Sequence, residues 1–196
     1  MEKIYRATLK GDVESLMGIL DSNPDLCIDD AKFTSFRRNP LHLAAMLGYI
    51  EFAEALLRMN VQLASVSDSQ GFTPLHLAST RNNTTMVRVL LDANIGACTA
   101  LDQDGRTPLH LAAMRDELKV MELLIENNPA AIFQVENNRH ETILHLCVKH
   151  DKLEALKKLV DYLVYAPGPN SISTNSRDID GNTILHLASE SRQMKV

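Results

Sequence analysis

The sequence lacks most features of a secreted or membrane-spanning protein. It has no Trp, 5% aromatic residues and three cysteines. Because Cys27, Cys98 and Cys147 are odd in number, far apart and in no CxxC pair, they predict neither a disulfide framework nor a zinc site and favour a reducing, cytoplasmic setting. The first residues have no apolar core of a signal peptide, and no run of about 18 apolar residues occurs. We therefore expect this stretch of chain neither to enter nor to span a membrane.

Basic residues are also in the minority. The 20 Lys and Arg residues stand against 25 Asp and Glu, a net charge of -5. Generic nucleic-acid binding needs a basic stripe along the phosphates, so this balance argues against it. The chain also lacks the GxxxxGK[ST], HExxH, GxSxG and GxGxxG motifs. We therefore expect no enzyme, no cofactor and no metal site.

What the chain does have is one short motif that recurs. It reads NPLHLAA, TPLHLAS, TPLHLAA, TILHLCV and TILHLAS, with successive spacings of 34, 34, 35 and 41 residues between five histidines: His42, His76, His110, His145 and His186. A period near 33 with T-P-L-H-x-A is typical of the ankyrin repeat, a turn followed by two antiparallel helices. The sequence therefore predicts an all-α repeat solenoid of about five and a half ankyrin repeats. We expect one domain, 1–196, with approximate repeats 1–34, 35–67, 68–101, 102–136, 137–177 and a partial 178–196.

The histidines have a structural interpretation. In TPLH, Thr suits the N-cap, Pro suits the first helical position, and His falls two residues further on, at N3. Its imidazole can reach the cap and the backbone of the neighbouring turn, which would tie each repeat to the next. A metal site would instead need several ligands to converge, whereas equivalent residues of stacked repeats lie roughly 8–10 Å apart. His140 and His150 fall outside the motif, and we expect both to be solvated.

Two kinds of position should need a left-handed backbone. The first is the break between the two helices of a unit, occupied by Gly48, Asn82, Asp116 and Asp151. The second is the glycine of the turn consensus D-x-x-G-x-T-P, which Arg37 and His140 replace in repeats two and five. We expect those two turns to be less regular or differently bent than the others.

The last part of the chain departs from the period. The long spacing before His186 places extra residues at 162–177, where Pro167, Gly168 and Pro169 stop a helix. This predicts a longer helix and a mobile loop, either a tolerated insertion or a site of partner docking or phosphorylation. Met194 aligns with Ile50, so about one turn is the most that the second helix of repeat six can form. We expect this chain to be a domain of a longer protein that completes the repeat.

The wording of the repeats resembles one family more closely. The segments NPLHLAAMLGYIEFAEALL, DQDGRTPLHLAAMRDELKVMELLI and ETILHLCVKHDKLEALKKLV are similar to plant ankyrin-repeat membrane proteins with a C-terminal PGG domain, the accelerated-cell-death-like group. The resemblance implies a cytosolic ankyrin domain, attached to a membrane, and to the plasma membrane in particular, through a missing C-terminal segment. It also implies a role in immune or stress signalling.

The resemblance to ankyrin domains implies the binding surface as well, because these domains bind through turn tips and the exposed positions of the first helix on a concave face. Six basic residues on this face outnumber two acidic ones, Asp104 and Glu141, in repeats two to five. On that mapping the candidate partner-binding residues are Arg38, Met46, Leu47, Phe72, Arg81, Arg106, Met114, Arg115, Arg139 and Lys149.

This composition favours a protein-interaction scaffold. Arg, Met and aromatic side chains are enriched at interface cores, so we expect a protein or peptide partner with acidic and apolar residues. Anionic lipid headgroups would suit the same charges, and a structural or self-associating module remains an alternative. Scattered basic and apolar residues also occur on surfaces that bind nothing.

Overall fold

A computed structural model describes residues 2–22, 36–134, 139–165 and 173–190. Within these ranges the chain forms 11 α-helices and no strand, which confirms the predicted all-α repeat solenoid. Short 3-10 helices follow the second helices of three units, at Val61–Ser65, Ile95–Thr99 and Pro129–Phe133. The α-helices are α1 (Glu2–Lys10), α2 (Val13–Asp21), α3 (Pro40–Leu47), α4 (Ile50–Met59), α5 (Pro74–Ser79), α6 (Thr84–Ala93), α7 (Pro108–Arg115), α8 (Leu118–Asn127), α9 (Ile143–Lys149), α10 (Leu153–Tyr165) and α11 (Ile184–Glu190).

The recurring motif begins the first helix of each unit. Thr73 is the N-cap of α5, and its hydroxyl accepts the backbone N–H of His76. In return, the Thr73 backbone N–H donates to His76 Nδ1 at 3.1 Å, so both halves of a capping box form. The same arrangement begins α3, α7 and α9. The predicted capping role of these histidines is therefore confirmed.

The other ring nitrogen links one unit to the next. Because Nδ1 accepts a backbone N–H, the ring proton lies on Nε2, which is free to donate. His42 Nε2 donates to the Phe72 carbonyl at 2.9 Å, and His145 Nε2 donates to the Asn182 carbonyl at 3.1 Å. His76 Nε2 likewise donates to the carbonyl of Arg106 at 3.1 Å. The predicted tie between successive turns is thus confirmed at three junctions.

The hydrophobic core follows the same period along the second helices. In each of four units, the leucine six residues after the first residue of the second helix is at most 1% exposed: Leu56, Leu90, Leu124 and Leu159. These leucines belong to one continuous core that also includes the alanines of the first helices, such as Ala44, Ala78 and Ala112. Small residues on the first helices let the units pack closely, so the stack rather than any single unit buries the apolar surface.

The breaks between paired helices are left-handed at three of the four predicted residues. Gly48, Asp116 and Asp151 have φ values of 82°, 62° and 56°. The prediction for Asn82 is wrong, because α5 ends earlier, at Ser79. There the Ser79 hydroxyl donates to the Leu75 carbonyl at 2.7 Å, and the Thr80 hydroxyl donates to the Leu77 carbonyl at 2.8 Å. These side chains satisfy the last carbonyls, so no left-handed residue is needed.

The prediction that two turns are distorted where Arg37 and His140 replace the consensus glycine is wrong. Arg37 and His140 have φ values of 55° and 53°, close to the conformation of Gly71 at 82°. The neighbouring turns enforce this backbone, since the N–H of Ser69 donates to the Phe36 carbonyl and the N–H of Ile179 donates to the Arg139 carbonyl, both at 2.8 Å. Stacking therefore imposes the left-handed conformation at the usual cost for a residue with a Cβ, about 1 kcal/mol.

The C-terminal irregularity is described in part. α10 has 13 residues against 10 in each of α4, α6 and α8, so the longer helix is confirmed. Of the predicted insertion at 162–177, residues 162–165 belong to α10, and residues 166–172, like Met194, lie outside the described residues. Of the helices within the described ranges, not one combines the length and the apolar character needed to cross a bilayer.

Candidate functional site

The exposed ends of the first helices form a row that we call the helix-end row. The motif residues of these helices are buried, whereas the fourth and fifth residues after each histidine reach the surface. Leu47, Arg81, Arg115 and His150 lie at equivalent places in four successive units and are all exposed. The complete row is Met46, Leu47, Thr80, Arg81, Met114, Arg115, Lys149 and His150.

A turn residue, Arg38, contacts the first residue of the helix-end row, Met46. Arg38 donates from Nε to Asp68 Oδ2 at 2.9 Å and from a terminal nitrogen to the sulfur of Met46 at 3.7 Å. Its guanidinium also lies 4.9 Å from the ring centre of Phe36. The Arg38 side chain is 14% exposed and that of Asp68 is fully buried. Arg38 is therefore held in place, with its charge balanced within the protein.

Two further candidate cations are also paired. Arg106 contacts Asp104 at 2.7 Å, and Lys149 donates to Glu141 Oε1 at 2.8 Å. The sequence-based count of six basic and two acidic residues on this face did not include Asp68, the acid that pairs with Arg38. Three of the six bases thus have acidic partners on the same face, so this face is less basic than the residue count indicated.

Arg81 and Arg115 differ from these three. Both are exposed, and within the described residues neither forms an ion pair. They line one open depression of about 490 Å³ together with Thr80, Asn82 and Glu117. Burial, followed by the charge of Asp116, raises the pKa of Glu117, and Arg115 opposes that shift. The depression therefore presents two guanidinium groups from adjacent units to solvent.

Phe72, Arg139 and Lys149 do not line this depression. Phe72 is half-buried, and its ring packs against the ring of His76 with 5.9 Å between the ring centres, so part of its surface is already covered within the protein. Arg139 and Lys149 line a second open depression with Glu141 and acidic residues of the last turn. Burial first, and then the charges of Lys149 and Arg106, lowers the pKa of His150. Three pairs of the candidates are thus neighbours in the structure: Arg38 with Met46, Arg81 with Arg115, and Arg139 with Lys149.

The sequence analysis did not identify Asp68, the acid that pairs with Arg38, as part of the candidate site. Asp68 is the consensus aspartate of its turn, and its Oδ1 accepts the backbone N–H groups of Gln70 and Phe72 at 2.8 and 3.0 Å. Those bonds leave Oδ2 facing Arg38 of the preceding unit. The signal was an arginine 30 residues before a consensus aspartate, a spacing that places the two in successive turns.

The thiols of Cys98 and Cys147 are buried in the core. Burial raises the pKa of Cys98 to about 11 and that of Cys147 to about 12, so both remain thiols at neutral pH. Among the described residues, no three His, Cys, Asp or Glu side chains come together in a way that could hold a metal ion. The exposed face is therefore the feature of the described residues that is best suited to a function.

Comparison with known families agrees with the repeat geometry. The protein-family model described as ankyrin repeats (3 copies) matches residues 4–100 of the chain and, in a second match, residues 93–167. A search of curated proteins finds no match to the chain.

Proposed function

Because the chain belongs to the ankyrin-repeat family, whose members generally mediate protein–protein interaction, we propose that it is an interaction scaffold. We propose that residues 1–196 act as one domain and that a protein or peptide binds the helix-end row and the adjacent turn tips. A repeat solenoid suits this role, since stacked units hold surface side chains at fixed spacings on a rigid support.

One observation carries the choice of partner. Arg81 and Arg115 repeat at equivalent positions of adjacent units and form no ion pair among the described residues, although Glu117 lines the same depression, while Arg38, Arg106 and Lys149 each form one. A partner carboxylate can therefore approach the two arginines without displacing an internal ion pair. Apolar Met46, Leu47 and Met114 belong to the same row and would contact apolar partner residues. We therefore propose an acidic-apolar peptide segment as the partner.

The cellular setting is proposed from the resemblance of the repeats alone. Their wording is similar to the plant ankyrin-repeat proteins with a PGG domain, which supports a cytosolic domain held at a membrane and acting in immune or stress signalling. In that setting the exposed row would recruit a signalling partner to the cytoplasmic face of the membrane.

A charge reversal tests the face. A double variant, Arg81→Glu with Arg115→Glu, is compared with Arg58→Glu with Arg88→Glu, which changes two exposed arginines on the second helices α4 and α6. Peptides are selected from a random phage library against the wild-type domain, and their affinities are measured by fluorescence anisotropy. We expect the helix-end double variant to lose at least tenfold in affinity because a bound carboxylate would meet like charge, and the control to lose little.

The alternatives give different results in the same assays. Selected peptides that bind both double variants equally would place the binding site elsewhere. Binding to vesicles containing phosphatidylserine, with no selected peptide, would favour the lipid-binding alternative. Concentration-dependent oligomers of the wild type, disrupted by the charge reversal, would favour self-association. Thermal unfolding followed by circular dichroism checks that both double variants remain folded, as expected for exposed sites.

A further inference from the structure

One acidic side chain lies in the same depression as Arg81 and Arg115. The depression is lined by Thr80, Arg81 and Asn82 of one unit and by Arg115 and Glu117 of the next. All five side chains are polar, and they carry two positive charges and one negative charge, a net charge of +1. Glu117 therefore halves the net positive charge that the two arginines would give the depression.

The carboxylate of Glu117 is not used to cap a helix. Glu117 is the N-cap residue of α8, but its side chain makes no capping hydrogen bond. The equivalent residue of the preceding unit, Asn83, does cap its helix, because its side chain accepts the backbone N–H of Met86 at 3.0 Å. The dipole of α8 favours an acid at this position, but that effect needs no bond to the carboxylate oxygens. These oxygens thus remain available to face a bound group.

The negative charge of Glu117 is also not neutralised by the nearby arginines. Arg115 and Glu117 line the same depression but form no ion pair among the described residues. Burial, and then the charge of Asp116, raises the pKa of Glu117 although Arg115 acts in the opposite direction. An acid held in a close ion pair would have a lowered pKa instead. Glu117 therefore repels any anion that approaches the two arginines.

This repulsion differs between the two common anionic groups of proteins. A carboxylate carries one negative charge, whereas a phosphate monoester carries about 1.5 to 2 at pH 7. Electrostatic energy is proportional to the product of the charges, so Glu117 repels a phosphate up to about twice as strongly as a carboxylate. One carboxylate balances the net charge of the lining, while a phosphate exceeds it. Two arginines without Glu117 would match a phosphate instead.

We propose that Glu117 determines the specificity of this depression, which takes a carboxylate group in preference to a phosphate group. The partner is then a segment rich in Asp and Glu, and phosphorylation of that segment does not replace its acidic residues. This inference rests on the proposed function, because it specifies the anion that Arg81 and Arg115 bind.

Titrations with two small anions test this preference without a peptide partner. Benzoate and phenyl phosphate share a ring and differ in the charged group, and the arginine Nε–H signals of the folded domain report their binding by nuclear magnetic resonance at pH 7. Each anion is titrated into the wild type, into Glu117→Gln and into a control, Glu126→Gln, which removes an exposed charge near the far end of α8.

We expect the wild type to bind phenyl phosphate no more tightly than benzoate. Glu117→Gln should strengthen benzoate binding on the order of threefold and phenyl phosphate binding on the order of tenfold, since the energy gained is about twice as large for the second anion. Glu126→Gln should change neither by as much as twofold. Equal gains for the two anions, a wild type that prefers phenyl phosphate, or no binding of either anion at Arg81 and Arg115 would each overturn the inference.

Peptides separate this inference from the proposed function. In a peptide selected against the wild-type domain, each acidic residue is replaced in turn by phosphoserine. At the position that contacts the depression, the replacement should weaken binding to the wild type and strengthen binding to Glu117→Gln. If the double variant Arg81→Glu with Arg115→Glu binds the parent peptide unchanged, the proposed function fails, and the anion titrations still decide the preference of the depression. If that double variant loses affinity but phosphoserine and acidic peptides bind the wild type equally, the proposed function stands and the role of Glu117 is refuted.

Discussion

The units of His76 and His186 have nearly the same motif and very different surroundings. TPLHLAS and TILHLAS differ in one letter, yet Leu75 is 1% exposed and Leu185 is 70% exposed. His76 is fully buried, whereas His186 is exposed. The difference is that α7 covers α5, while within the described residues no following unit covers α11. Burial of a motif residue in this fold is therefore supplied by the next unit rather than by its own sequence.

The largest expected effect of this burial is a dependence of stability on pH. Burial lowers the pKa of His42 and of His110 to about 4, against 6.5 for an ordinary histidine. Between these values the unfolded chain binds protons that the folded chain does not, so the free energy of unfolding falls as pH falls from about 6.5 toward 4.5. Each ring should account for about 2–3 kcal/mol over that window. Urea unfolding at a series of pH values measures the loss.

A variant assigns this loss to the buried rings. His42→Ala should have lower stability than the wild type at pH 7 but a shallower fall with pH, because one of the rings that resists protonation is gone. An unchanged slope in this variant, or a wild-type stability that is flat between pH 6.5 and 4.5, would show that the buried rings do not control the acid response.

The next effect compares two leucines that precede the motif histidines. Leu75→Ala should lower the free energy of unfolding by about 3 kcal/mol, since it removes a fully packed side chain from the core. Leu185→Ala should cost less than about 0.5 kcal/mol, because its side chain is already largely in water. Chemical unfolding of both variants at pH 7 measures the two costs. Similar losses would mean that α11 is covered in solution.

Much of the fold could be predicted from the sequence because its determinants are local. The motif spacing predicts the solenoid, and the Thr, Pro and His of one motif suffice to specify a helix start. The failure at Asn82 was also local, because the two hydroxyl side chains before it end the helix first. The prediction of a distorted turn at Arg37 was wrong for the opposite reason. The hydrogen bond from the Ser69 N–H of the next turn to the Phe36 carbonyl outweighs the preference of Arg37 against a left-handed backbone.

The candidate site was less predictable because pairing across units decides it. Arg38 and Arg81 are both basic residues of the predicted face, but only Arg38 has an acid opposite it in the next turn. The lack of a hydrogen-bond partner for His110 Nε2 is likewise not visible in the motif, since TPLHLAA around His110 differs from TPLHLAS around His76 in one residue only. Contacts between units depend on the relative placement of turns, which the repeat spacing alone does not specify.

The smallest expected effect compares three histidines. His76→Ala should lower the free energy of unfolding by about 1–2 kcal/mol, because it removes the capping bond to Thr73 and the link to the next turn. His110→Ala should cost less, since its Nε2 has no described partner to lose. His186→Ala should cost only a few tenths of a kcal/mol, because His186 itself is exposed. The order of the three costs, measured by urea unfolding at pH 7, is the test. Equal costs for His76→Ala and His110→Ala would mean that the His110 ring is linked in solution, and a large cost for His186→Ala would mean that the motif histidine stabilises its own unit without a neighbour.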